Sequence, residues 1–292
     1  MRFTYAEAMT QASYYAPLAQ AAEAAGYTSM TVADSLIYPA DSDARYPYTD
    51  KGDREFLEGK EFIETLVMCS YLAGVTSTLR FTPFVLKLPV RPPVLVAKQA
   101  ASIAHLSGNR LGLGIGLSPW PEDFAAMGVP WAKRGKRMDE CIDILRGLWT
   151  GDYFEYDGEF YQVPPLKICP APSENLPLLV GGHADAALRR AVLKGDGWMH
   201  GGGPHEDLDD LLTRLAAIRR QEGVEGDASF EVHVISFDAY DADGIKRLED
   251  KGVTDCIVGF RDPYIVGPDQ EPLEKKIRHL EKYAENVIAK VS

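Results

Sequence analysis

The sequence predicts a parallel (β/α)8 barrel, a TIM barrel, in which residues 1–292 form a single domain. Three observations carry that prediction. Apolar periodicity switches repeatedly between strand-like and helix-like runs, giving eight strands that alternate with helices. The length, 292 residues, suits a fold that commonly takes about 250. No internal repeat, low-complexity tract or interdomain linker divides the chain. A doubly wound sheet is the alternative reading of the same alternation.

The elements follow in order. RFTYAEA opens the chain as the first strand, and Tyr14, Leu18, Ala21, Ala22 and Ala25 mark a helix face closed by Gly26. Residues 29–35 form the second strand and 62–73 its helix. Residues 79–86 are the third strand, followed by a proline-led helix over 93–106. The fourth strand, 110–119, reads RLGLGIGLSP. Its Gly112, Gly114 and Gly116 share one face, because successive side chains alternate sides. Such a bare face marks a close approach, either of a flat ligand ring or of another packed element. Met138, Cys141, Ile142, Leu145, Leu148 and Trp149 then make an amphipathic helical stripe. Residues 176–182 are the fifth strand with its helix at 184–194, and 197–201 the sixth with its helix at 206–220. The seventh and eighth strands, 229–237 and 255–260, each precede a helical segment.

Two segments interrupt this order. Residues 37–60, rich in Asp, Pro and Tyr, form a long loop after the second strand, read as an active-site lid or a solvated excursion. YFEYDGEFYQV, residues 153–163, alternates aromatics around Asp157-Gly158 and predicts a β-hairpin with a type I′ turn before the fifth strand.

A formal charge of −12 argues against nucleic acid or an anionic membrane as partner. The N-terminal MRFTYAEAMT has no signal-peptide core and no apolar run reaches membrane-spanning length, so the expected location is the cytoplasm. Cys69, Cys141, Cys169 and Cys256 form no CxxC or metal spacing and read as reduced thiols. His200 and His205 lack the pattern and carboxylate company of a metal site, so no metal is expected.

Barrel enzymes place their chemistry at the C-terminal ends of the strands. That rule selects Glu7, Asp34 with Ser35, Phe84 to Leu86, Leu117 with Ser118, Gly181 to Ala184, His200, Ser236 and Arg261. At Gly181-Gly182-His183-Ala184 a strand ends and a helix begins at once, so free backbone amides and the helix dipole suit a phosphate; a plain tight turn is the alternative. The glycine strand is no dinucleotide fingerprint, because Pro119 follows where a phosphate-binding helix would start. His200, beside Gly201-Gly202-Gly203, is the histidine best placed for acid–base work. His105, His233 and His279 read as structural or surface residues.

With these residues in view, the chain resembles the luciferase-like monooxygenase family, most closely its branch that uses coenzyme F420. The likeness rests on RPPVLVAKQAASIAHLSGNRLGLGIG, EDFAAMGVPWAKRGKRMDECIDILRGLW, GEFYQV and LPLLVGGHADAALRRAVLKGDGW, in that order along the chain. The resemblance implies an isoalloxazine-like ring at the strand ends. Phe84, Val85 and Leu86 would back it around a non-proline cis peptide, Leu117 and Ser118 would line the ring or its ribityl chain, and Gly181, Gly182, His183 and Ala184 would take the phosphate. Two departures touch the substrate side. Many relatives carry Asp-His where this chain has Asp34-Ser35, and Gly-Trp-Asn where it has Ser118-Pro119-Trp120.

The expectation is therefore an F420-dependent oxidoreductase moving a hydride between the deazaflavin and a small organic substrate, with His200, then Glu7 and Asp34, as proton-transfer candidates. One alternative is an FMN-dependent monooxygenase served by a reductase partner. Another is a non-catalytic cofactor-binding protein. A homodimer is expected by family analogy.

Overall fold

A computed structural model of the chain describes residues 1–46, 49, 52–202 and 205–291. In order, these form β1 (Arg2–Ala6), α1 (Tyr15–Ala24), β2 (Ser29–Val32), α2 (Thr65–Val75), β3 (Arg80–Pro83), β4 (Leu86–Lys87), α3 (Pro93–Ser107), β5 (Leu113–Gly116), α4 (Pro121–Ala126) and α5 (Arg134–Trp149). There follow β6 (Phe154–Asp157), β7 (Gln162–Leu166), β8 (Leu178–Gly181), α6 (Asp185–Lys194), β9 (Gly197–Met199), α7 (His205–Gln221), β10 (Glu231–Val234), α8 (Ala242–Asp250), β11 (Asp255–Val258) and α9 (Leu273–Tyr283). A π-helical turn (Ala284–Ile288) and α10 (Ala289–Val291) complete the chain's described part.

The main sheet runs β3-β2-β1-β11-β10-β9-β8-β5-β4, with parallel pairing throughout. β3 and β4 are two halves of the predicted third strand, separated at the cis Phe84–Val85 peptide. A parallel bridge between Phe81 and Leu111 joins the two ends, with the Phe81 amide donating to the Arg110 carbonyl at 2.8 Å. Eight staves thus make a closed barrel. The helices turn apolar faces to it: Val96, Ala97, Ala100 and Ala104 of α3, and Met138, Cys141, Ile142, Leu145 and Leu148 of α5, are all buried. Trp149 adds a hydrogen bond from Nε1 to the Ala97 carbonyl at 3.1 Å.

The glycine face of the fourth stave is filled by protein, and this corrects the reading of a ligand ring lying on it. The Arg80 guanidinium occupies the space beside Gly112, and the Pro83 carbonyl and Met199 sulfur that beside Gly114. Val85 packs against Gly116, where an added Cβ would stand 2.5 Å from its Cγ2. Close packing inside the barrel explains all three glycines.

Arg80 belongs to a charge network at the N-terminal end of the staves. It meets Glu231 at 2.9 Å, Arg2 meets Asp255 at 2.6 Å and Glu231 at 3.0 Å, and His233 Nε2 lies 2.6 Å from Glu231. Glu231, His233 and Asp255 thus gather closely, with the two arginines already balancing their carboxylates. The barrel is plugged here and opens at the other end.

The β6–β7 hairpin forms as expected, but its turn differs. Asp157 pairs with Gln162, so the loop is four residues long, and Gly158 does not take the positive φ that a type I′ turn requires. The Glu140 carboxylate of α5 accepts the amides of Glu159, Phe160 and Tyr161 at 2.7, 3.0 and 3.1 Å and fixes this wider turn. The tertiary anchor overrides the local turn preference. Gly203, which the sequence places beside His200, lies outside the described residues, as do Pro47, Tyr48, Asp50 and Lys51 of the long loop and the terminal Ser292.

Candidate active site

A cavity of about 1360 Å³ opens at the C-terminal ends of the staves. Its floor is apolar: Met199 and Ile257 are buried there, with Ala6, Phe84, Val85 and Ile235 packed around them. Strand alternation decides which side chains reach it. Val85 and Lys87 face inward and line the cavity, whereas Leu86 between them is fully buried in the core outside the barrel. Leu86 therefore supports the stave from behind and does not line the cavity.

One wall is the corner after β8. Gly181 and Gly182 line the cavity, and Gly182 has a φ of +125°, a conformation open to glycine alone. The chain reaches the head of α6 three residues later, with Ala184 as an exposed N-cap residue that makes no side-chain cap. Trp198 Nε1 donates to the Gly182 carbonyl at 2.8 Å and holds the corner from below.

His183 and His200 lie behind this corner, not on the cavity wall. Their rings stack at 4.8 Å between centroids and 16° between planes. The Gly201 amide donates to His183 Nε2 at 3.0 Å. His200 Nδ1 donates to the Ile235 carbonyl at 3.1 Å, which leaves Nε2 as a buried acceptor without a partner among the described residues. Burial, then the neighbouring His183, pulls the His200 imidazole down to about 4. With 1% of its surface exposed, His200 is neutral at pH 7 and tethers β9 to the end of β10.

Both candidate carboxylates line the cavity, and each is already engaged. The Asp34 carboxylate accepts from both Arg91 terminal nitrogens at 2.9 and 2.8 Å and from the Lys87 amide at 2.9 Å. Glu7 accepts from the Tyr5 hydroxyl at 2.8 Å, from Arg261 Nε at 2.9 Å and from Lys276 Nζ at 3.3 Å. Leu117 and Ser118 line the opposite side.

Several cavity residues escaped the sequence reading. Lys87 Nζ pairs with the fully buried Asp123 at 2.7 Å, and the Ser118 hydroxyl donates to the same carboxylate oxygen. The Trp120 amide in turn donates to Ser118 at 3.0 Å. Strand alternation from Val85 was the signal for Lys87. Tyr46, Phe56, Trp120 and Tyr264 meet above the cavity: Tyr46 stacks on Trp120 at 5.5 Å, and Phe56 meets Tyr264 edge-on at 5.0 Å. Arg54 lies 4.5 Å over the Trp120 ring. These residues come from three loops distant in sequence, and no local pattern announces their meeting. Tyr46 and Phe56 thereby bring described parts of the long loop after the second stave into the cavity lining.

The chain matches the model of the luciferase-like monooxygenases over residues 3–251. It belongs to that family. The uncharacterized protein Rv0940c of Mycobacterium tuberculosis is 64% identical over the whole of both chains. Among solved structures, the fold is similar to the monooxygenase RslO1 of Streptomyces bottropensis, with a TM-score of 0.77 and 14% identity across 100% of both chains. It is likewise similar to the coenzyme F420-dependent tetrahydromethanopterin reductase of Methanopyrus kandleri, with a TM-score of 0.74 and 15% identity across 100% of this chain and 99% of that one. Among the described residues, no helix is long and apolar enough to cross a membrane.

Proposed function

We propose that this luciferase-like oxidoreductase uses coenzyme F420 to transfer a hydride to or from an organic substrate. The observation that carries this reading is the pairing of an apolar floor with an amide-rich corner in one cavity. Val85, Met199 and Ile257 offer an apolar bed, and Gly181 and Gly182 lead to the head of α6. A tricyclic ring with a phosphate-bearing side chain fits that combination. The fit depends on two glycines, since a Cβ at Gly116 or Gly181 would come within 2.5 or 3.0 Å of Val85 and push the floor upward.

When bound, a deazaflavin supplies the hydride chemistry, and the protein supplies orientation and electrostatics. Val85 and its neighbours seat the ring, and the corner amides hold the phosphate. Tyr46, Trp120 and Tyr264 exclude water from above. Lys87, held by Asp123, offers the cavity a fixed ammonium group beside Val85. The similarity to the F420-dependent reductase supports this cofactor.

The second reading is an FMN-dependent monooxygenase served by a reductase, and the similarity to RslO1 favours it. We read the protein in either case as cytoplasmic and homodimeric, a second copy covering the exposed Val67 and Tyr71 of α2 and Leu95 of α3. Titrating the protein with F420 and with FMN separates the two cofactors. Tighter binding of F420 supports the first reading, and tighter binding of FMN the second.

A further inference from the structure

We infer that Arg134 is the side chain that grips the anionic tail of the bound cofactor, beside the Gly181–Gly182 corner. The inference rests on the ring-and-phosphate reading above and names a binding residue that this reading lacks.

Of the other cations that line the cavity, Lys87 is paired with Asp123 at 2.7 Å, Arg261 is paired with Glu7 at 2.9 Å, and Lys282 of α9 is exposed to solvent. Arg134 also lines the cavity, yet makes no ion pair among the described residues. Its Nε is buried without a hydrogen-bond partner. In a chain of formal charge −12, a half-buried guanidinium left without a carboxylate needs an explanation.

The side chain is also held in place. Its guanidinium lies 3.7 Å from the centroid of the Trp131 ring, and Trp131 packs edge-on against the buried Phe124 at 5.0 Å. Stacking of this kind fixes the guanidinium plane while leaving its N–H groups free to donate. A planar fork of donors matches the oxygens of a phosphate ester.

Helix packing puts the group at the right height. Arg190 of α6 bonds to Asp139 of α5 at 2.6 Å and to the Gly135 carbonyl at 3.1 Å. The two helices are neighbouring elements of the barrel, so both start at its open end. Arg134 is the first residue of α5, and the corner immediately precedes α6. The corner glycines and the Arg134 guanidinium then line one cavity, where one anion can meet both.

The test compares ligands that differ only in the anionic tail: F420 against its phosphate-free deazaflavin riboside, and FMN against riboflavin. Dissociation constants are measured by ligand fluorescence for the wild type, Arg134→Leu and Arg134→Lys. The wild type should prefer the tailed member of the pair it binds. Arg134→Leu should reduce that preference by tenfold or more while moving the affinity for the tail-free ring less than about threefold. Arg134→Lys, which keeps the charge without the fork, should fall between. A preference unchanged in Arg134→Leu overturns the inference and leaves the cofactor reading intact. Equal loss of tailed and tail-free ligands also overturns it, since the residue would then shape the cavity as a whole. If the wild type binds none of the four compounds, the cofactor reading falls and the inference falls with it.

Discussion

Val85 rests in the space that Gly116 leaves bare, with its Cγ2 at 2.5 Å from where a Cβ on that glycine would lie. This contact joins the fourth stave to the cavity floor. Gly116→Ala should displace Val85 into the cavity and cost about 1–3 kcal/mol of stability through overpacking. Its signature is a fall in ring affinity larger than its shift in melting temperature explains. Gly114→Ala meets the backbone carbonyl of Pro83 and the Met199 sulfur at 2.8 Å, and should cost at least about 3 kcal/mol. Chemical denaturation of the two variants checks the order.

Asp34 anchors Arg91 and the Lys87 amide, and its side chain has only 1% of its surface exposed. Asp34→Ala should therefore destabilise the fold by about 3–5 kcal/mol, because it leaves a largely buried guanidinium with only the longer 3.4 Å pairing to Glu64. A variant with wild-type stability in urea and lost turnover would show instead that the carboxylate works on the substrate.

His200 sets a pH dependence of stability. Its folded value is about 4, against about 6.5 in an unfolded chain, so between those limits the unfolded chain binds the extra proton. Stability from this group is complete above pH 6.5 and falls as the pH drops toward 4, by up to roughly 3 kcal/mol. His183, also lowered by burial, acts in the same direction. The stability gap between wild type and His200→Gln should narrow from pH 6.5 to pH 4 in urea titrations. A constant gap would contradict the neutral, buried imidazole.

Tyr46 covers Trp120, which is 5% exposed. Tyr46→Ala should uncover that indole and raise iodide quenching of tryptophan fluorescence, with little loss of stability. Quenching equal to that of the wild type would mean that the loop does not shield the mouth.

The barrel was legible because its signal is distributed. The alternation of eight strands with helices, Gly26 closing a helix and Pro93 opening another are local consequences of backbone chemistry, and each survives in the structure. The site was legible only as far as strand ends and alternation reach. They pointed to Glu7, Asp34, Val85 and the corner glycines, all of which line one cavity. They could not tell that Arg91 and Arg261 would engage the two carboxylates, because those partners arrive by tertiary packing. The glycine face of the fourth strand gave the right inference of close approach but could not decide between a ligand ring and another packed element, since Arg80, Pro83, Met199 and Val85 come from other staves. Leu86 was misplaced for want of one step of alternation from Val85.

The central claim is that the cavity above Val85, Met199 and Ile257 seats an isoalloxazine-like ring. Equilibrium fluorescence titration of the purified protein with F420 and with FMN tests it most directly. The account predicts saturable one-to-one binding, tighter for F420, and weakened in Gly116→Ala. Binding of neither compound would contradict it, leaving the barrel without the cofactor its site is read to hold.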